Sequence, residues 1–187
     1  MLKLGSRSPL LLTERLALRE LRDDDAPAIA LGAGDPTVAR FLLAIPSPYP
    51  VALARRWVTN RRQWWRTGRG ITLAITERLA PEQLLGTVSL RRYTRDRRAE
   101  LGYWLASAAW GNGIATEATR AAVEWGFSEL NLARIYAQVL ADNRGSQRVL
   151  DKLGMVVEGI KRQHVRKGSV LHDVLFYGLL RAEWSAR

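Results

Sequence analysis

Trp104–Ala118 reads WLASAAWGNGIATEA, and this stretch decides the fold. An apolar strand end meets a turn that holds Gly111 and Gly113, and a helical pattern opens at Ile114. Ile114, Ala118, Ala121, Ala122 and Trp125 recur at helical spacing, so a helix is expected over about Ile114–Leu130. The first N–H groups of a helix lack internal partners and sit at the positive end of its dipole. Glycines let an anion approach that backbone closely, which makes a pyrophosphate site without a lysine. The plain alternative is a tight turn with a helix cap.

Upstream, Ile71–Thr76, Gly86–Arg92 and Ala99–Leu105 read as three strands joined by short polar turns, an antiparallel meander. Leu10–Leu21 reads as a first strand. Asp23–Asp25 then supply acids for the N-cap and first turn of a short helix over Ala26–Leu31. A short helix near Thr37–Leu42 and a basic, tryptophan-bearing helix over Val51–Thr67 complete the first half. Downstream come a strand at Arg134–Leu140, a helix at Arg144–Leu153 and a strand at Met155–Ile160. A terminal hairpin follows, built from Gln163–Arg166 and Val170–Leu180. This is an α+β order in one domain, 1–187, and not a regular βαβ alternation.

Other phosphate-binding motifs fail. No Gly-Lys pair exists, so there is no P-loop. Thr116 stands where a dinucleotide fingerprint needs its third Gly or Ala, and the turn follows a meander instead of a first parallel strand. Cysteine is absent, which removes disulfides, thiolate metal sites and a cysteine nucleophile. His164 and His172 are the only histidines, so no multi-histidine metal centre forms and no metal is expected. No apolar run approaches the ~18 residues of a membrane span. Lys3 and Arg7 precede an apolar stretch, Leu10–Leu12, too short for a signal peptide, so a cytoplasmic protein is expected. The formal net charge is +11, carried mainly by arginine, which suits an anionic partner.

The chain resembles the GNAT superfamily of acyl-CoA-dependent N-acetyltransferases, and within it the RimJ/RimL-type branch. Five segments carry the resemblance in order: LLTERLALRELRDDDA (Leu11–Ala26), GTVSL with AELGYWL (Gly86–Leu90, Ala99–Leu105), WGNGIATEA (Trp110–Ala118), NRGSQRVLDKLGM (Asn143–Met155) and HDVLFYGLL (His172–Leu180). Trp110 departs from the Gln or Arg of the superfamily motif. The resemblance implies a mixed, mostly antiparallel sheet of six to seven strands flanked by about four helices. It implies acetyl-CoA as cosubstrate. The backbone of Gly111, Asn112, Gly113, Ile114, Ala115 and Thr116 would grip the CoA pyrophosphate. The strand end Trp104, Leu105 and Ala106 would pair with the pantetheine amides where that strand splays from Arg134–Leu140. Asn143 would contact the pantetheine arm, and Ser146 would sit near the thioester sulfur.

The chemistry needs a neutral amine, a polarised thioester carbonyl and a protonated leaving thiolate. Glu100 is the candidate base, in phase with Gly102 and Trp104 on the central strand; its alternative is a pairing with Arg98 or another arginine. Ser146 is the candidate acid; its alternative is a bond to nearby helix backbone. Asn143 can cap the following helix as well as meet cofactor. Trp57, Trp64 and Trp65 either wall the acceptor site or pack in the core. Asp173 and His164 are weaker candidates to face the cleft. RRYTRDRR (Arg91–Arg98) reads as a solvated hairpin tip, with RNA or an acidic protein as the alternative contact.

The expected function is acetyl transfer to a primary amine, first among candidates a protein N-terminus of ribosomal-protein type. A small amine or antibiotic is the rival acceptor, and a non-catalytic RNA- or ribosome-binding module on the same fold is the rival class. Whether two chains form a homodimer stays open.

Overall fold

A computed structural model describes residues 8–43 and 45–186; Lys3 and Arg7 lie outside them. Among the described residues, one sheet of eight strands runs in the order β1-β2-β3-β4-β5-β6-β8-β7. The strands are β1 (Leu11–Leu12), β2 (Leu16–Glu20), β3 (Gly70–Glu77), β4 (Leu84–Tyr93), β5 (Arg98–Leu105), β6 (Arg134–Leu140), β7 (Val156–Lys167) and β8 (Val170–Leu180). All neighbours pair antiparallel except β5 and β6, which are parallel. The crossover joining those two is the helix α4 (Ile114–Glu129), because a parallel return needs a long connection. The sheet therefore has the expected mixed, mostly antiparallel character, with eight strands against six to seven.

The count differs at Thr13. Its N–H donates to the Leu16 carbonyl (3.0 Å), and its hydroxyl accepts from Leu16 N–H (2.9 Å). That reversal splits the Leu10–Leu21 stretch into β1 and β2. At the other end the two expected segments fuse into one strand, β7, whose register shifts between Lys161 and Val165. Gln163 takes a left-handed φ of 49° there, and its N–H donates to the Asp173 carboxylate (2.8 Å).

The helices lie on both faces of the sheet. One face buries α4 and α5 (Arg144–Lys152) against Leu16, Leu18, Ile75, Leu90, Leu101 and Ile135. α4 turns Ala118, Ala122, Val123, Gly126 and Phe127 inward at helical spacing. At Gly126 a Cβ would come within 2.6 Å of Leu90 Cδ1, so this glycine sets the helix close to β4. The other face carries α1 (Ala26–Gly34), α2 (Pro36–Ala39) and α3 (Val51–Arg66) over Leu21, Ala74 and Trp104. A short α6 (Arg181–Ser185) ends the chain's regular structure.

The acids at 23–25 fill the turn that leads into α1, with Asp25 at the N-cap position as expected, but its carboxylate is used elsewhere than on α1. They form a 3-10 turn, and α1 receives no side-chain cap from Asp25. Asp25 is buried and takes two bonds from the Arg19 guanidinium (2.9 and 2.7 Å), plus the Arg22 N–H (2.7 Å). A buried pair closed this way ties the entry of the α1–α3 layer to β2.

Candidate active site

β5 and β6 pair over only three positions, ending at Glu100 opposite Tyr136. Beyond Glu100 the strands separate, and a cleft of about 710 Å³ passes between them. Its wall draws on both faces of the sheet: Thr87, Ser89, Glu100, Gly102 and Trp104 from one, Leu101, Tyr103 and Leu105 from the other. The cleft thus has two halves, one facing α4 and α5 and one facing α2 and α3.

The α4 half is made of backbone. Gly111 and Gly113 hold φ of 80° and 76°, a region that favours glycine. Gly113 is the N-cap of α4, and the first helical bond runs from Glu117 N–H to Gly113 (3.0 Å). The N–H groups of Ile114, Ala115 and Thr116 precede that bond, and all three residues line the cleft. A Cβ on Gly111 would meet nothing within 4 Å, so the open space beside this turn fits a phosphate group. Arg15, in the β1–β2 turn, braces the loop. Its guanidinium donates to Glu117 Oε2 (2.7 Å) and to the Asn112 carbonyl (3.0 Å). The C=O and N–H of a trans peptide point opposite ways, so this bond turns the Gly113 N–H away from Arg15. Asn112 itself does not line the cleft.

At the strand end, two of the three residues expected to pair with pantetheine turn their backbone groups to β4 instead. Ala106 N–H donates to the Leu85 carbonyl (2.8 Å), so Ala106 is bound to β4 and lies outside the cleft wall. Antiparallel alternation then turns the backbone groups of Trp104 to Thr87, its register partner. Those of Tyr103 and Leu105 face the gap. The Leu105 carbonyl accepts from the Trp110 indole (2.9 Å), a role for the residue that departs from the superfamily motif.

Ser146, in the first turn of α5, lines the cleft with Asn143. Ser146 N–H donates to Asn143 Oδ1 (3.1 Å), so Asn143 caps α5 with its oxygen. Ser146 Oγ is 2.7 Å from the Tyr103 hydroxyl. Burial pushes the Tyr103 phenol well above its ordinary value, against a smaller opposing effect of the Ser146 bond, so it keeps its proton at neutral pH. Composition and spacing give no sign of this tyrosine; only the packing of β5 against α5 brings the two hydroxyls together.

The other half is made of side chains. Glu100 Oε1 accepts from Gln138 Nε2 (3.1 Å) and Oε2 from the Tyr136 hydroxyl (3.4 Å). Its partners come from β6, and no ion pair with Arg98 forms; Arg98 binds Asp96 instead (3.1 Å). Phe41, Leu42, Leu43 and Trp57 form the apolar wall. Trp57 also packs on the second core, Trp65 is buried in the first, and Trp64 stacks under Arg61 (3.6 Å). Trp104 lines the cleft with its indole nitrogen buried and without a bonding partner. His164 is exposed and edges onto Phe176, His172 lies 3.8 Å from Asp142, and Asp173 holds the β7 bulge, so none of the three lines the cleft.

A glycine-capped helix set beside two parting parallel strands is what the resemblance to acyl-CoA-dependent acetyltransferases implies, and the comparisons agree. Residues 15–156 match the acetyltransferase (GNAT) domain model. The chain belongs to the GNAT acetyltransferase family. YoaA, an uncharacterized N-acetyltransferase of Bacillus subtilis strain 168, is 33% identical over 92% of this chain and 97% of its own length. A solved structure of RimL, a ribosomal L7/L12 alpha-N-protein acetyltransferase, in complex with coenzyme A superimposes with a TM-score of 0.82. It is 19% identical and covers 92% of this chain and 98% of that one. A probable acetyltransferase of known structure gives 0.84 at 27% identity, covering 94% and 99%. This GNAT chain is an acetyl-CoA-dependent N-acetyltransferase, with the α+β fold the sequence implied.

Proposed function

We propose that this GNAT enzyme acetylates the α-amine of a protein N-terminus, of ribosomal-protein type, by direct attack on the thioester. The observation that carries the reading is that Glu100 and Ser146 reach one cleft from opposite faces of β5, at the point where β5 and β6 part. In this reading the pyrophosphate lies on Gly111–Thr116, the pantetheine arm follows the gap along Tyr103 and Leu105, and Asn143 meets that arm with its side-chain nitrogen.

The step balances simply. The neutral amine forms a bond to the thioester carbon, and Glu100 accepts the amine's proton through a water. Collapse breaks the C–S bond, and the Ser146 hydroxyl, oriented by the Tyr103 hydroxyl, delivers a proton to the leaving thiolate; the proton taken by Glu100 passes through water back to Ser146, so both groups end as they began. A peptide α-amine has a pKa of ~7.7–8.0, so its neutral form costs only about 1 kcal/mol at pH 7. A lysine amine at ~10.4 costs about 4–5 kcal/mol. A carboxylate acting through water is sufficient for the first and weak for the second. The absence of cysteine removes an acetyl-cysteine intermediate, which favours a ternary complex.

Support for the acceptor class comes from a relative. The ribosomal-protein-serine acetyltransferase of Escherichia coli strain K12 is 29% identical over 97 residues, 51% of this chain and 54% of its own. Incubation of peptides and small amines with acetyl-CoA, read by mass spectrometry, tests the reading. Acetylated peptide α-amines are expected, with Glu100→Gln lowering kcat/KM about 100-fold. A change within twofold across pH 6–9 removes Glu100 as the base. Acetylation of small amines alone removes the protein acceptor.

A further inference from the structure

Arginine is the commonest cation of this chain, and most of its half-buried guanidinium groups have an acid. Arg19 has Asp25, Arg62 has Asp23 and Glu20, and Arg134 has Glu158. Among the described residues Arg61, Arg92 and Arg181 have none, and Arg61 alone of these shares an indole with a second arginine, the exposed Arg91. Among the described residues, no carboxylate pairs with Arg61 or Arg91. Both guanidinium groups stand over the same indole, Trp64, at 3.6 and 5.8 Å from its centroid. Burial first, and the like charge of Arg91 second, push the Arg61 guanidinium down to about 10. Two neighbouring cations, one of them half-buried, raise the free energy of the fold unless an anion joins them.

The pair stands beside the side-chain half of the cleft. Arg61 lies 5.2 Å from the ring of Trp57, a cleft residue one helical turn away. Arg91 is the register partner of Glu100 across β4 and β5, so both side chains leave the same face of the sheet. An extended peptide advances roughly 3.3 Å per residue, so a chain whose amine is at Glu100 and that leaves along this face reaches Arg91 within its first few residues.

We propose that Arg61 and Arg91 form a carboxylate subsite that selects acceptor polypeptides with an Asp or Glu within about the first four residues. The inference rests on the polypeptide-acceptor reading above. Guanidinium pairs hold a carboxylate by charge-assisted, bidentate bonds, and stacking on indole keeps the donors in place. RNA suits the site less well. A stacking platform needs open aromatic faces, and here arginine already covers Trp64.

The test measures kcat/KM for two hexapeptides with free α-amines that differ only by Glu or Gln at the third position. The wild-type enzyme is expected to prefer the Glu peptide at least 10-fold, mainly through KM, with a preference that shrinks as salt rises. In Arg91→Gln and in Arg61→Gln the ratio falls below threefold, and Arg91→Lys restores part of it. Circular dichroism and thermal melting verify the fold, and Arg91, being exposed, gives the variant that folds if Arg61→Gln does not. A wild-type ratio within twofold, or an unchanged ratio in Arg91→Gln, overturns the subsite while leaving the polypeptide reading intact. Absence of turnover with every peptide overturns both, and shows itself in the absolute rate. No peptide preference, with tight salt-dependent binding of a single-stranded RNA decamer that Arg91→Gln abolishes, overturns it in favour of RNA.

Discussion

The two halves of the cleft are made of different material. Against α4 the wall is main chain: two left-handed glycines, a helix N-terminus and the free edge of β5. Against α2 and α3 it is side chain: Glu100 with its β6 donors, Phe41, Trp57 and the arginines stacked beyond them. Main-chain geometry depends on a few local positions that must be glycine and tolerates change elsewhere. Side-chain geometry depends on residues brought from four elements and changes with any one of them. One half suits a ligand common to a family, and the other suits a partner particular to one member.

That contrast can be broken most directly at the glycines. Gly113→Val places a branched residue at a φ of 76°, and is expected to weaken acetyl-CoA at least about 100-fold by calorimetry with the fold intact by circular dichroism. Unchanged affinity would remove the main-chain site. Ser146 is a side chain on the α5 wall of the first half, bonded to Tyr103. Ser146→Ala is expected to lower kcat about 30-fold with acetyl-CoA affinity within threefold; the reverse pattern makes the residue a binding group only. The α1–α3 layer is anchored by a buried ion pair, so Asp25→Ala is expected to lower the unfolding free energy by about 3–5 kcal/mol in urea, through the Arg19 charge left behind. A loss under about 1 kcal/mol means the layer is held elsewhere.

The smallest effect is electrostatic and belongs to the main-chain half. Burial raises the Glu117 carboxyl, but bonds from Thr13 and Arg15 lower it more, and the net shift is downward. A group with a depressed folded pKa stabilises above its unfolded value and loses that contribution as pH falls through the folded one. Glu117→Gln should therefore melt about 2–4 °C below wild type at pH 7, with the gap closing towards pH 3. A gap that persists in acid assigns the effect to packing.

The same contrast explains what could be read from the sequence. WGNGIATEA carries its half of the cleft in nine consecutive residues, so the turn, the helix and the ligand chemistry were legible together. Trp57, Arg61 and Trp64 share a helix face by their spacing, yet nothing local indicates that Arg91 joins them from β4. Which of Trp104, Leu105 and Ala106 keep backbone groups free is not legible locally, because strand alternation depends on which neighbour takes each N–H, here Leu85 for Ala106. The β1–β2 break was hidden because Thr13 makes a turn without glycine or proline. The fusion of β7 was hidden because its bulge is held by Asp173, ten residues away.

The short pairing of β5 with β6 has a mechanical consequence. Three register pairs join a leaf of five strands to a leaf of three, so the sheet behaves as two plates hinged along Ala99 and Ile135. Apart from the two-pair edge of β1 on β2, force or heat applied across that hinge meets less hydrogen bonding than along any other seam, and α4 becomes the strut that limits how far the plates can swing. A molecule gripped along the opening touches both plates at once. Its binding should therefore stiffen the whole sheet, and amide exchange at residues remote from the cleft, such as those of β8, would report it.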